Sequence, residues 1–352
     1  MSEPTIPSAI QKTNSRRKQE QLDIALNENV EFKDICTGLD DYRFLHQALP
    51  EIDLAAVDLS TSLFGKTLAA PLVISPMVGG IEAATKINRN LAKVAQTAGI
   101  AMGVGSQRCA IDDVTMASSY KVRDVAPDIL LFANLGAVQL NHGYGVKECR
   151  QAVEMIGANA LILHLNPLQE ALQPQGNTDF TGLLGKIKQM CRELSVPVIV
   201  KEVGCGISEN TAQMLAKAGV AGIDIASAGG TSWSEIERYR AETPLRNNIA
   251  AAFASWGIPT AESIIMTRQG VPDLTLIASG GIRTGVDVAK AIALGADAVG
   301  IATPLLKAVS VSTESALAAV QEIIEELRIV MFCLGATSIK ELKNSPFLKK
   351  VR

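Results

Sequence analysis

Leu161-Ile-Leu-His-Leu-Asn-Pro-Leu-Gln-Glu170 begins as an apolar run and turns into chemistry. Read as a strand over residues 161–166, its side chains alternate between two faces. Leu161, Leu163 and Leu165 share one face; Ile162, His164 and Asn166 share the other. Pro167 lacks a ladder donor and should stop the strand, which puts Gln169 and Glu170 in the loop just past its end. A buried histidine and a polar turn would account for any one of these residues. Four polar groups converging on one strand end point to a site.

Seven other stretches repeat this design. Apolar runs at 71–75, 100–103, 129–134, 197–201, 220–226, 274–279 and 298–301 are each followed by a polar loop and, in most cases, an Ala-rich helical pattern. The helical patterns cover 84–98, 146–157, 185–194, 209–218, 260–269 and 285–294, and Gly99, Gly157, Gly219 and Gly295 mark helix ends. Strand and helix alternating eight times predicts an α/β fold, a (β/α)8 TIM barrel, whose active site lies at the C-terminal strand ends. Those ends read Ser75, Asn134, His164 with Asn166, Lys201, Asp224 and Ser279. Parity places Phe132 with Asn134, Ile199 with Lys201 and Ile277 with Ser279 on inward faces.

The chain has 352 residues, 47% of them hydrophobic, and a net charge of −3. That is enough for one large barrel. The charge balance offers no footprint for nucleic acid, and no apolar run reaches membrane-spanning length. Six cysteines, with no CxxC spacing, read as reduced thiols in a cytoplasmic protein. Three histidines argue against a multi-histidine metal site. Residues 1–15 are polar and Ser/Thr/Pro-rich and are expected to be a disordered tail. Residues 16–70 form an N-terminal extension carrying Arg16-Arg17-Lys18, and 71–352 the barrel.

Three loops are built for an anion. Ser279-Gly-Gly-Ile-Arg283 follows the seventh strand, Gly300-Ile-Ala-Thr-Pro304 the eighth, and Ala228-Gly-Gly-Thr-Ser232 the sixth. Bare backbone and a helix N-terminus there hold the phosphate of a cofactor. Gly103-Val-Gly-Ser-Gln-Arg108 adds a hydroxyl, an amide and a guanidinium. Lys201 at the mouth suits a Schiff-base nucleophile, a hydride-site cation or a cofactor clamp. Glu170 suits Mg2+, which takes one or two carboxylates beside phosphate oxygens.

In this order, Arg17-Lys18, Pro76-Met-Val-Gly-Gly80, Gly105-Ser-Gln-Arg108, Phe132-Ala-Asn-Leu-Gly136, His164 to Glu170, Val200-Lys-Glu-Val-Gly204, Gly229-Gly-Thr-Ser-Trp233, Trp256-Gly-Ile-Pro-Thr260 and Ser279 to Gly285 resemble the type 2, FMN-dependent isopentenyl-diphosphate Δ-isomerases. The resemblance runs from about residue 15 to the C-terminal helix. It implies FMN held by Pro76, Met77, Val78, Ser106, Asn134, Lys201 and Thr231, with its phosphate on Gly281, Ile282, Arg283, Ala302 and Thr303. It implies a substrate diphosphate on Arg17, Lys18, Arg108, His164 and Asn166, Gln169 at the isoprenoid chain, and Glu170 on Mg2+. Reduced FMN as the active form, NADPH as reductant, homo-oligomers and a substrate-capping role for the extension come with it. The reaction moves a C=C bond with no net redox change. Gln169 is expected to position the alkene while the reduced flavin handles the proton. His164 and Gln169 are the candidate catalytic side chains.

Two positions depart from the family pattern. Gln21 stands where a histidine is usual, and Val78 where a threonine is usual. The alternative reading is another FMN-dependent barrel oxidoreductase. A 2-hydroxy-acid oxidase needs a histidine base near the end of strand six, where this chain reads Ser227-Ala-Gly-Gly230. An IMP-dehydrogenase-like enzyme needs a loop cysteine, and Cys205 is no clear match.

Overall fold

Each apolar run becomes a short parallel strand, because both its faces are covered: one by its neighbours across the barrel, the other by helices. In the computed structural model, which describes residues 9–351 and side chains from Arg16 onward, the strands are β1 (Leu72–Ile74), β2 (Ala101–Gly103), β3 (Leu131–Gly136), β4 (Ala160–His164), β5 (Val198–Lys201), β6 (Gly222–Asp224), β7 (Thr275–Ser279) and β8 (Ala298–Ile301). They close in sequence order into an eight-stranded barrel, β8 returning to β1. Register aligns Gly136, His164, Lys201 and Asp224 in one row across β3 to β6.

The helices fall where the capping signals put them. Glu82–Ala98, Val146–Ile156 and Glu209–Ala218 end on Gly99, Gly157 and Gly219. Leu183–Glu193, Thr260–Gly270 and Gly285–Ala293 follow β4, β6 and β7. The long helix Thr313–Cys333 packs on Gly285–Ala293 and Glu82–Ala98. Leu161 and Leu163 join the outer core under the helices. Ile162, Phe132, Ile199 and Ile277 form the barrel interior, as the parity argument requires.

The N-terminal extension touches both ends of this barrel. Helix α1 (Ala9–Asn27) lies over the mouth, with Leu22 packed on Ile81, Ala84 and Leu306. Residues 9–15 of the expected disordered tail therefore belong to α1, and residues 1–8 lie outside the described residues. Tyr42–Phe44 pairs antiparallel with Leu348–Lys350. A hairpin, Thr61–Leu63 with Lys66–Leu68, turns at Phe64-Gly65, both at positive φ, as a two-residue hairpin loop prefers. Leu63 and Leu68 join the interior cluster at the N-terminal ends of the strands. Phe64 stacks edge-on against Phe132 at 6.0 Å, so the hairpin plugs the barrel floor.

The opening stretch differs in detail from its expected form. β4 stops at His164, and Asn166 N-caps a short helix, Pro167–Leu172, that carries Gln169 and Glu170. These residues are helical rather than looped. The cause is Pro167 at the first helical position, where its missing N–H costs nothing and its fixed φ is already helical.

Candidate active site

One cavity opens at the C-terminal strand ends. Ser75, Asn134, His164, Lys201 and Ser279 line it, together with Asn166 from the cap after β4. Asp224 does not. It sits buried beneath the floor, accepting a 2.5 Å hydrogen bond from the Ser279 hydroxyl and lying 4.0 Å from the Lys201 ammonium. Burial raises its pKa, against the pull of Lys201. The Lys201 ammonium donates to the Glu202 carbonyl at 2.7 Å.

His164 is fixed from behind. Asn134 donates its amide to the Val104 carbonyl, which turns its oxygen toward His164 Nδ1 at 2.8 Å. Nδ1 therefore carries the hydrogen, and Nε2, beside Gly136, is left as an acceptor. Burial first, then Lys201 and Lys18, push the imidazole pKa down to about 3. The candidate ligand is a neutral histidine.

Beside it lies an oxygen-rich turn. Glu170 accepts from Asn166 Nδ2 (3.0 Å), from Gln173 Nε2 (2.9 Å) and from the Asn177 N–H (2.6 Å). Asn166 Nδ2 also reaches Gln169 Oε1 at 3.0 Å. Asn166 Oδ1 is buried without a hydrogen-bond partner among the described residues. No group of three His, Cys, Asp or Glu side chains is clustered for a metal among them. A cation here would be held by one carboxylate, amide oxygens and ligand phosphate, the pattern Mg2+ favours.

Cations face this turn from α1 and the β2 loop. Arg17 and Arg108 line the cavity. Burial lowers the Arg17 pKa, Glu170 opposes that shift, and Arg108 adds to it. Lys18 also lines the cavity, yet its three donors have partners already: the carbonyls of Gly79 (3.0 Å) and Ser106 (3.0 Å) and the Tyr120 hydroxyl (3.2 Å). It ties α1 to the loops after β1 and β2. Gln21 donates to the buried Glu237 at 3.0 Å.

Across the ring from β4, the loops after β6, β7 and β8 make a cup of bare backbone. A Cβ on Gly230 would stand 2.5 Å from the Gly281 nitrogen, and one on Gly281, at φ 73°, would stand 2.2 Å from the Gly229 oxygen. Only glycine permits this approach. Ala302 N-caps the helix Thr303–Val311, and Thr303 Oγ1 meets Thr231 Oγ1 at 2.7 Å. Ile282 and Arg283 complete the cup's lining. Between the two ends, Pro76, Met77 and Val78 form one wall and the Ser106 loop another. On the floor, the Ser75 and Ser227 hydroxyls are buried without partners among the described residues, the state expected of groups waiting for a polar ligand.

The candidate site residues read from the sequence thus border one cavity, Asp224 excepted. Gln173, Tyr120, Glu237 and Glu31 escaped notice. Gln173 had a signal, since it stands three residues after Glu170 on what proves to be one helical turn. The other three meet the site from far along the chain and leave no local pattern.

The family model for FMN-dependent dehydrogenases matches residues 11–127 and 148–349. The chain is 50% identical over 353 residues to an isopentenyl-diphosphate delta-isomerase of Nostoc sp., with 100% of both chains covered. It is 54% identical to one of Synechococcus sp., covering 97% of this chain and 99% of the relative. A Rickettsia bellii isopentenyl-diphosphate delta-isomerase is 48% identical, with 94% and 96% covered. Among solved structures, a lactate oxidase of Pediococcus acidilactici superposes with a TM-score of 0.66 at 18% identity, over 99% of this chain and 97% of that one. A mandelate oxidase gives 0.66 at 18%, over 95% and 98%. At that identity the oxidases share the fold alone.

Proposed function

The chain belongs to the FMN-dependent dehydrogenase family, among its isopentenyl-diphosphate delta-isomerases, and from that premise we propose how its cavity interconverts isopentenyl and dimethylallyl diphosphate. The observation that carries the reading is the pairing of two anion-binding ends across one barrel mouth. The glycine cup lies at β6, β7 and β8, and the Asn166–Glu170 turn, facing Arg17 and Arg108, lies at β4.

The residues fit FMN. The cup takes its phosphate on the backbone of Gly281, Ile282 and Arg283 and at the N-terminus of the helix begun by Thr303. Ser75, Ser227, Asn134, Lys201, Ser106 and the Pro76–Val78 wall surround its ring system. When bound and reduced, FMN supplies an acid–base group and an electron-rich face for a developing tertiary cation. The residues fit Mg2+ as well, through Glu170 and the unpartnered Asn166 oxygen.

The protein's own task is placement. Arg17 and Arg108 take the diphosphate, and Glu170 would hold a Mg2+ that neutralises it; the remote binding energy of that group anchors a small, featureless alkene. Gln169, whose oxygen is held by Asn166, borders the alkene chain. Its amide is a positioning group, because it has no proton of useful acidity to give. His164 meets the diphosphate at Nε2, where its neutral ring accepts a hydrogen bond from a protonated phosphate oxygen. Lys18 holds α1 against the mouth, closing it to water.

NADPH is the reductant we propose, on the family resemblance. A cytoplasmic setting is supported by six free cysteines. Association of copies is supported by exposed Tyr239, Leu245, Ile249 and Trp256 around the helix Pro244–Ala251. No described helix is long and apolar enough to cross a membrane.

The test is anaerobic. Protein loaded with FMN and reduced should convert isopentenyl diphosphate to its allylic isomer with Mg2+ present, and should not oxidise lactate or mandelate. Reduced, FMN-loaded protein that leaves isopentenyl diphosphate unchanged would refute the reading.

A further inference from the structure

A strap from the N-terminal extension is built onto the outside of the phosphate cup. Residues 30–32 run antiparallel to residues 230–232. The Phe32 N–H donates to the Gly230 carbonyl (3.0 Å), the Ser232 N–H donates to the Val30 carbonyl (2.8 Å), and Glu31 bridges to Thr231. The strap then reaches Thr37. Its nitrogen lies 2.5 Å from where a Gly229 Cβ would stand, and its methyl 2.6 Å from where a Gly281 Cβ would stand. The extension is thus packed on two of the glycines that shape the cup.

From this strap Glu31 Oε1 reaches Arg283 Nη2 at 2.8 Å, each side chain 43% exposed at the cavity rim. Arg283 is the cation that the cup's own loops carry among the described lining residues. Arg17 and Lys18 come from α1, Arg108 from the β2 loop and Lys201 from β5. A guanidinium presents five donors in a plane. One Nη2 contact to Glu31 leaves the other edge for a phosphate oxygen. An arginine already held in place loses less side-chain freedom when an anion binds.

We propose that Glu31 is a positioning residue for the cofactor phosphate. It holds Arg283 at the rim of the cup, and through the strap it links cofactor binding to the arm that carries Arg17 and Lys18. The inference rests on the FMN reading and deepens it. The cofactor phosphate then steadies the same segment that faces the substrate diphosphate.

The experiment measures dissociation constants of FMN and riboflavin by flavin fluorescence, in wild type, Glu31→Gln, Arg283→Gln and the double variant. Glu31→Gln should weaken FMN about fivefold, the scale of a partly exposed ion pair, leave riboflavin unchanged, and add nothing in the Arg283→Gln background. Hydrogen exchange supplies the second readout. FMN should slow exchange over residues 16–37 in wild type and do so less in Glu31→Gln. An unchanged FMN preference in Glu31→Gln, an equal loss for both flavins, or equal protection of the arm in both proteins would each overturn the proposal. A wild type that binds FMN no better than riboflavin would remove the phosphate cup itself, and with it this role.

Discussion

Burial and two nearby ammonium groups, Lys201 and Lys18, keep His164 neutral, its pKa pushed down to about 3 from 6.5. A folded-state value below the unfolded one means that the neutral imidazole contributes stability in full above about pH 6.5, and that this contribution is lost as pH falls toward 3. A His164→Gln variant, whose amide can still donate to Asn134, should lose less stability than wild type between pH 7 and pH 4.5, as urea melts would record. At Glu170 the expected effect is on metal. Glu170→Gln keeps an oxygen for Gln173 and Asn177 but removes the charge, so the Mg2+ needed for half-maximal rate should rise at least about tenfold. FMN affinity in that variant, read by fluorescence, should not move. His164 and Glu170 were both legible as residues of the cavity, because polar residues at an apolar run's end are conspicuous. Asn166 was placed on the wrong element, since Pro167 ends a strand and begins a helix equally well.

Among the elements, the glycine loops and the floor hairpin are the parts most exposed to single changes. Gly230→Ala puts a methyl 2.5 Å from the Gly281 nitrogen, against the backbone of Gly280 and Gly281 with no flexible side chain to yield. That variant should purify without flavin while its far-ultraviolet circular dichroism stays that of the barrel. The hairpin answers a different question. Phe64→Ala removes the ring packed on Phe132, and because Phe64 is half-buried the cost should be about 2–3 kcal/mol in chemical denaturation. Flavin affinity should survive, the hairpin being at the opposite end of the strands. Strands and helices were readable because each carries its own periodicity and stop signal, as at Leu161–Leu163 or at Gly157. The hairpin was readable as a turn but not as a plug, because nothing in residues 61–68 names the floor as their partner.

At the scale of the whole molecule, cofactor and fold are linked by mass action. FMN at a hundred times its dissociation constant should add about 2.7 kcal/mol and raise the melting temperature of a chain this size by about 4 °C. Scanning calorimetry at two FMN concentrations would record the concentration-dependent rise. The eightfold order of the barrel was legible because neighbours in sequence are neighbours in space. The wrapping of residues 16–70 around both ends was not, since contacts such as Glu31 with Arg283 join segments that share no local pattern. The sheet formed by Tyr42–Phe44 and Leu348–Lys350 is a case with its own result. During synthesis the first of these strands is made well before the barrel strands and its partner well after them. The barrel strands can pair as they emerge, but this clasp waits until a segment beyond the last barrel strand has been made. A nascent chain arrested before residue 348 should therefore hold a protease-resistant barrel with the segment around residues 42–44 still open to cleavage.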